Sequence, residues 1–366
     1  MPIYMDIHII PGVTAKNVAE AHVKDLAMQD HHNCKCMTYW IDEKRDSVFC
    51  LIDAPDKDAV IELHSKAHGL IPNKIIEVSS KVVDSFLGRI FDPPDAAVNE
   101  SGLKVFSDAA LRTLLVTTID DISLMELRMG KEKANELVQQ LNSIIRKKIT
   151  EFEGHEAEHK GNGFIVSFTS AANALSSALA IKKDMPLKVA KESGLKMSLN
   201  AGEPIANSNV LFGDTIQMAT NLCAVNRSGY IAITSVVQEI VSRELFLKNK
   251  KEFFMLSPQE ENQLSSLFSI LESNWEKPEF NIEDFSRLIA MSTSQLYRTS
   301  VKLTGLSPNA LLKNFRLQKA KEMLKKKLLS VSQITFDSGF SSPSYFTKCF
   351  KKEYGLLPLD YLNLHS

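Results

Sequence analysis

A pattern that occurs twice between Asn281 and Tyr361 constrains this chain more than any other feature. Each copy reads as a helix, a turn, a second helix, a glycine and a proline. In the first, Ile282–Ala290 carries Ile282, Phe285, Leu288 and Ile289 on one side, and Met291–Ser292 is the turn. Ser294–Leu303 follows, with Leu296, Val301 and Leu303 inward. Gly305 ends it in the left-handed conformation that only glycine adopts freely, and Pro308 opens a long helix to Leu324. In the second copy Val331–Ser338 is a helix carrying Ile334 and Phe336, and Gly339 makes the turn. Pro343–Glu353 turns Phe346 and Phe350 inward, Gly355 caps it, and Pro358–Leu362 closes the copy. Gln263–Trp275 reads as a helix that packs on this module.

An apolar back with a short polar front is what a helix needs to enter a major groove. The first front offers Ser294, Tyr297 and Arg298, the second Ser344, Thr347 and Lys348. Arginine pairs bidentately with guanine, and serine and threonine contact several bases. Lys302, Lys351 and Lys352 fall where phosphates are met. Residues 276–364 hold 14 Lys+Arg and 8 Asp+Glu, against a whole-chain net charge of −1. A basic end on a near-neutral chain fits a nucleic-acid module attached to something else. The expected partner is double-stranded DNA, met by a homodimer.

The rest of the 366 residues suggests two further domains. No apolar run reaches the length of a membrane helix, and the opening MPIYMDIHIIPG reads as a strand rather than a signal peptide. Five scattered cysteines fit a reducing cytoplasm, and the Cys34–Cys36 pair has no second pair at zinc-site spacing. The expected division is 1–83, a linker at 84–108 with the Glu100–Ser101–Gly102 turn, 109–246, a linker at 247–262, and 263–366.

Residues 1–83 read as strand Ile3–Ile10, helix Ala15–Gln29, strands Cys36–Ile41 and Ser47–Asp53, a helix from Pro55 to His68, and strand Ile75–Val78. The order βαββαβ is ferredoxin-like. His64 and His68 are i, i+4 and share a helix face, a spacing that suits a metal clamp and equally suits core-edge histidines. His8 and His22 lie on the first strand and first helix, and His31 and His32 at that helix's end. Residues 109–246 read as an α/β domain. Its segments are strand Leu111–Ile119, helix Leu124–Lys148, strand Phe164–Phe168 bounded by Gly161 and Gly163, helix Ala171–Lys183, strand Leu195–Asn200, helix Gly213–Val225 and strand Gly229–Thr234. The class is therefore multidomain α+β: ferredoxin-like, then α/β, then all-α.

Three resemblances follow. TGLSPNALLKNFRLQKAKEML and ITFDSGFSSPSYFTKCFKKEYGLLPLDYL resemble the AraC/XylS-type DNA-binding domain. That likeness implies base contacts at Ser294, Gln295, Tyr297, Arg298, Ser344, Thr347 and Lys348, and a structural or phosphate-positioning role for Arg316. Thr335–Phe336 departs from the small residue usual after Ile334. MPIYMDIHIIPG, AEAHVKDL, YWIDEKRDSVFCLIDAPD and HSKAHGL resemble a small ferredoxin-like family with nickel-binding members, which implies dimerisation and a Ni²⁺ site drawn from His8, His22, His64 and His68. Imidazole suits zinc and copper as well.

LLVTTIDDISLMELRMG, KGNGFIVSF, LKMSLNAGEP and FGDTIQMATNLCAVNRSGYIAIT resemble the class III nucleotide cyclase domain. An active member needs two metal-binding aspartates and an Asn–Arg pair. Here those positions are Thr118, Asn162, Gln217 and Asn221. Thr and Asn are neutral oxygen ligands, and a lost arginine removes a bidentate charge on phosphate. The resemblance thus implies a domain without catalysis, kept for dimerisation or for ligand sensing. Asp120 and Asp121 read as a solvated strand end. The expected function is a DNA-binding transcription regulator. The alternative is a cyclase using a shifted Asp120 or Asp121, or a nickel-binding protein, fused to a DNA-binding domain.

Overall fold

The computed structural model describes residues 1–98, 103–159, 162–226 and 229–364; the Glu100–Ser101–Gly102 turn and Gly161 lie outside the described residues. The first unit runs β1 (Ile3–Ile9), α1 (Ala15–Met28), β2 (Lys35–Asp42), β3 (Ser47–Asp53), α2 (Lys57–Ala67) and β4 (Lys74–Val78). Its antiparallel sheet has the order β2-β3-β1-β4, the ferredoxin-like arrangement. Thr14 and Asp56 cap the two helices. Alternation along β1 divides its side chains between two faces. Met5 and Ile7 join Trp40, Phe49, Leu51 and Ile76 against the next unit's Leu114, Leu211 and Phe212, while Tyr4, Asp6 and His8 turn toward the helices.

The span 84–108, expected as a linker, is structured at both ends. It begins inside α3 (Ser80–Leu87), whose Val83, Phe86 and Leu87 are buried. It continues as a strap with a short hairpin, β5 (Ala97–Val98) and β6 (Lys104–Val105). An eight-residue helix shows too few turns for its period to stand out. Arg89 ties the strap down: its guanidinium bonds the Thr38 hydroxyl, the Tyr39 carbonyl and the Asp108 carboxylate, and lies over Trp40 and Phe106.

The middle unit comprises β7 (Arg112–Thr118), α4 (Ile122–Met129), α5 (Lys131–Glu151), β8 (His155–His159), β9 (Gly163–Phe168), α6 (Ala171–Asp184), α7 (Leu187–Ser193), β10 (Lys196–Gly202), α8 (Gly213–Val225), β11 (Ile231–Ile233), α9 (Ser235–Ile240), α10 (Arg243–Asn249) and β12 (Phe253–Met255). Its sheet has the order β12-β11-β10-β7-β9-β8, with β10, β11 and β12 parallel to one another. The single helix expected over 124–148 is two helices, broken where Gly130 adopts φ 89°. Leu127 is consequently 52% exposed. The span 247–262, expected as a linker, supplies the end of α10, edge strand β12 and the first turn of α11 (Pro258–Asn274). Its Lys- and Glu-rich composition conceals a three-residue strand.

The last unit holds α12 (Ile282–Leu288), α13 (Thr293–Thr304), α14 (Pro308–Lys326), α15 (Val331–Asp337), α16 (Pro343–Tyr354) and α17 (Pro358–Leu364). Asn281, Ser292 and Ser330 start helices through capping boxes. Ser307 and Ser342 cap helices that open on proline. Phe285, Leu296, Leu303 and Leu311 pack on Leu264, Leu267 and Leu271 of α11. Ile334, Phe346, Phe350 and Tyr361 pack on Leu317, Ala320 and Leu324. Val301, expected inward, is 39% exposed, and the apolar Leu288 and Phe336 are 52% and 48% exposed. On α15 the buried place after Ile334 goes to Thr335, whose hydroxyl satisfies itself on the Val331 carbonyl. No helix among the described residues is long and apolar enough to cross a membrane.

Candidate DNA interface and histidine–carboxylate centre

Packing leaves the polar fronts of α13 and α16 outside. Ser294, Gln295, Tyr297, Arg298 and Lys302 are exposed on α13, and Ser344, Lys348, Lys351 and Lys352 on α16; Thr347 is half-buried. Part of Gln295 is engaged locally, its Oε1 accepting from the Ser292 amide and hydroxyl at 2.9 and 3.0 Å. Tyr345, which the sequence reading passed over, is 55% exposed on α16, one turn before Lys348. Lys302 pairs with Glu260 of α11 at 2.8 Å. That pairing, with the Ser257 cap, holds the Glu260 carboxyl down at about 2. Arg316 is a brace: its guanidinium donates to the carbonyls of Trp275 and Lys277 at 2.9 and 2.6 Å.

The module meets the middle unit at the end of β7. Asp120 is the solvated strand end expected there, exposed and paired with Arg128 at 3.0 Å. Asp121 is not. Its Oδ1 caps α4 at the amides of Ser123 and Leu124. Its buried Oδ2 accepts from the Tyr361 hydroxyl at 3.0 Å and lies 2.6 Å from Lys325 Nζ and 3.4 Å from Lys321 Nζ. Burial works against this charge, but the two lysines and Tyr361 outweigh it and hold the carboxyl at about 2. The partners come from α14 and α17, too distant in sequence for periodicity to reveal.

Thr118, Asp120, Asp121 and Asn162 border a cavity of about 850 Å³ whose far wall includes Phe315, Gln318 and Lys321 of α14. Gln217 and Asn221 lie outside it and bond one another at 2.9 Å, with Asn221 buried. The four cyclase-like positions thus fall into two separate pairs.

In the first unit, β1, β3, α1 and α2 bring six polar side chains together. Ligand atoms of Asp6, His8, Cys50 and His64 lie within 4.8 Å of one another, as do those of Asp25, His64 and His68. His64 is central. Its Nε2 is 3.1 Å from Asp6, and its Nδ1 is 3.2 Å from Asp25 and 3.0 Å from His68 Nε2. Burial opposes a charge on this ring, but Asp6 and Asp25 overcome it and raise the His64 pKa to about 10. Burial likewise opposes charge on Asp6 and Asp25, and the histidines reverse it, lowering both carboxyls. Burial pushes the Cys50 thiol well up, so it stays protonated.

Of the four histidines expected as ligands, three converge. His22 does not join them: it faces Asp92 at 3.5 Å and sits edge-on to Tyr39. His32 faces Glu62 at 3.7 Å, and His31 is exposed. Asp6, Asp25 and Cys50 were missed. The i, i+2 alternation of Asp6 and His8 on one strand face was the available signal. The donor set fits a divalent transition metal. Asp6 Oδ1, His8 Nε2 and Asp25 Oδ1 are buried without an aligned hydrogen bond, and imidazole with carboxylate suits such ions.

Comparison with known proteins agrees at both ends. The helix-turn-helix domain family matches residues 285–363, and the family described as nickel responsive protein SCO4226-like matches residues 4–78. Histidine kinase P4 of Formosa agariphila is 32% identical over 111 residues, 30% of this chain and 8% of that protein. The HTH-type transcriptional regulator MtrA of Neisseria gonorrhoeae is 32% identical over 132 residues, 36% of this chain and 44% of that protein. The crystal structure of an adenylate/guanylate cyclase/hydrolase from Silicibacter pomeroyi is 22% identical, covering 36% of this chain and 78% of that one at a TM-score of 0.31. The chain thus spans less than half the length of either curated relative. Residues 285–363, with two polar fronts exposed, are a helix-turn-helix domain, and residues 4–78, with their buried histidine–carboxylate centre, are similar to nickel responsive proteins.

Proposed function

We propose that this chain is a sequence-specific DNA-binding transcription regulator whose first unit senses a divalent metal such as Ni²⁺. The observation that carries the reading is the exposure of both fronts while their apolar backs are buried in separate cores. Arg298 and Lys348 read base edges from successive major grooves, with Ser294, Tyr297, Ser344 and Thr347 beside them. Lys351 and Lys352 meet phosphate. Asp6, His8, His64, His68 and Asp25 hold the metal. Two such chains on one operator multiply specificity through paired half-sites.

The middle unit carries no reaction in this reading. Thr118 and Asn162 are neutral, and Asp121 is committed to Lys321 and Lys325. Purified protein given ATP or GTP with Mn²⁺ is expected to yield no cyclic product. A product abolished by Asp120→Asn overturns this.

Selection of bound duplexes from a random pool, with and without Ni²⁺, tests the whole. One preferred sequence is expected, with the selected fraction changing on metal. Arg298→Ala is expected to lose about 1–3 kcal/mol of discrimination at a single base position. Equal weakening on every sequence would make Arg298 a phosphate contact instead.

A further inference from the structure

His64 stands between two sets of donors. On its Nε2 side Asp6 lies at 3.1 Å, and Asp6 is in turn 3.3 Å from His8 Nε2. Cys50 of β3 completes that set. On its Nδ1 side Asp25 Oδ1 lies at 3.2 Å and His68 Nε2 at 3.0 Å. Asp25 Oδ1 and His68 Nε2 are themselves 3.2 Å apart, so these three atoms form a nearly equilateral triangle. The lone pairs of an imidazole's two nitrogens diverge in the plane of the ring, so a single ion cannot be bound through both. Buried atoms without an aligned hydrogen bond stand on both sides: Asp6 Oδ1 and His8 Nε2 on one, Asp25 Oδ1 on the other. One ion would answer one side only.

We infer that the centre takes two divalent transition-metal ions, with the His64 ring as the ligand they share. The inference rests on the reading of the first unit as metal-binding. Asp6, His8, Cys50 and His64 Nε2 offer one ion four donors, the number that closes a tetrahedral shell. Asp25, His64 Nδ1 and His68 Nε2 offer the other three, a two-histidine, one-carboxylate set that leaves positions open. Asp25 and His68 border a cavity of about 180 Å³ between α1 and the sheet. It provides an entry path and room for water at those positions. Each ion replaces one ring proton of His64, and the Cys50 thiol gives up its own; the protons leave to solvent and no electron moves. Two carboxylates, a thiolate and the shared imidazolate then balance two dications, as a buried place requires.

The test is titration of the EDTA-treated full chain with Ni²⁺ and with Co²⁺, followed by calorimetry, by absorbance and, for Co²⁺, by low-temperature EPR. Two ions per chain are expected, one of them showing the thiolate-to-cobalt charge-transfer band of Cys50. His68→Gln is expected to lose one ion and keep that band, whereas Cys50→Ser loses the band. His64→Gln is expected to weaken both ions by about tenfold or more, since each loses a donor. The EPR signal of two Co²⁺ should fall short of twice that of one, through coupling across the shared ring. Should His64→Gln fail to fold, this signal from the wild-type chain still decides. Two ions that bind His64→Gln as they bind wild type overturn the shared ring, as does a Co²⁺ signal that simply doubles. One ion per chain, lost equally in His8→Gln and His68→Gln, refutes the pair and keeps the metal reading. No ion on the wild-type chain refutes the metal reading and the pair with it.

Discussion

Asp6 on β1 and Asp121 at the start of α4 are both buried carboxylates, and their partners set them apart. Asp6 faces His64 and His8, at 3.1 and 3.3 Å. Asp121 faces Lys325, Lys321 and the Tyr361 hydroxyl. Histidines exchange a proton for a metal near neutrality; lysine and tyrosine do neither there. The first carboxylate thus belongs to a centre that can change state, the second to a clasp that stays charged. Burial alone did not distinguish them.

The largest expected effect is at the first. Asp6→Ala strips His64 of one of its two carboxylates inside the unit. It should lower stability by about 3–5 kcal/mol, read as a fall in the denaturant midpoint at pH 6. An unchanged midpoint would mean that His64 carries no charge there. The pH dependence follows from the signs. His64 is raised to about 10, so its contribution is complete below about 6.5 and fades as pH climbs toward 10. Asp6 and Asp25 are lowered, so theirs is present above about 3.8 and is lost on acidification below it. The metal-free centre therefore stabilises most between those limits. Ni²⁺ behaves oppositely, because it displaces the His64 proton. Its apparent affinity should rise about tenfold per pH unit from 6.5 to 9, and a flat titration profile would remove His64 from the ligand set.

Asp121→Asn should have a smaller effect. It keeps an oxygen for the α4 cap and removes only the charge, so the loss should be about 1–3 kcal/mol. Faster proteolysis between the middle unit and α14 should accompany it. Stability and cleavage both like wild type would mean that Lys321 and Lys325 find equal solvation in water. The smallest effect is expected at Lys302, an exposed partner of Glu260. Lys302→Met should cost under about 1 kcal/mol of stability. If Lys302 leaves Glu260 for a phosphate on DNA, the salt slope of binding should also fall by about 1. An unchanged slope would keep it on Glu260.

Local chemistry made much of this molecule readable. Gly305, Gly355 and the prolines after them mark helix ends through atoms a few residues apart. The βαββαβ order and the exposed fronts of α13 and α16 followed from apolar period. What escaped was either short or distant. The eight residues of α3 and the three of β12 are too brief for a period. Phe336 and Val301 fall near the edge of an apolar stripe, where a small rotation decides burial.

The sequence by itself therefore determined most of the longer helices and strands, which end of the chain carries the helix-turn-helix domain, and that His64 and His68 share a face, because neighbours along the backbone set all of these. Only the tertiary structure decided that Asp6 and Asp25 join those histidines, that His22 stands apart, and that Asp121 meets Tyr361 across 240 residues. Those pairings depend on how separate elements pack, and a buried charge goes unmarked in sequence until the partner that neutralises it is brought alongside.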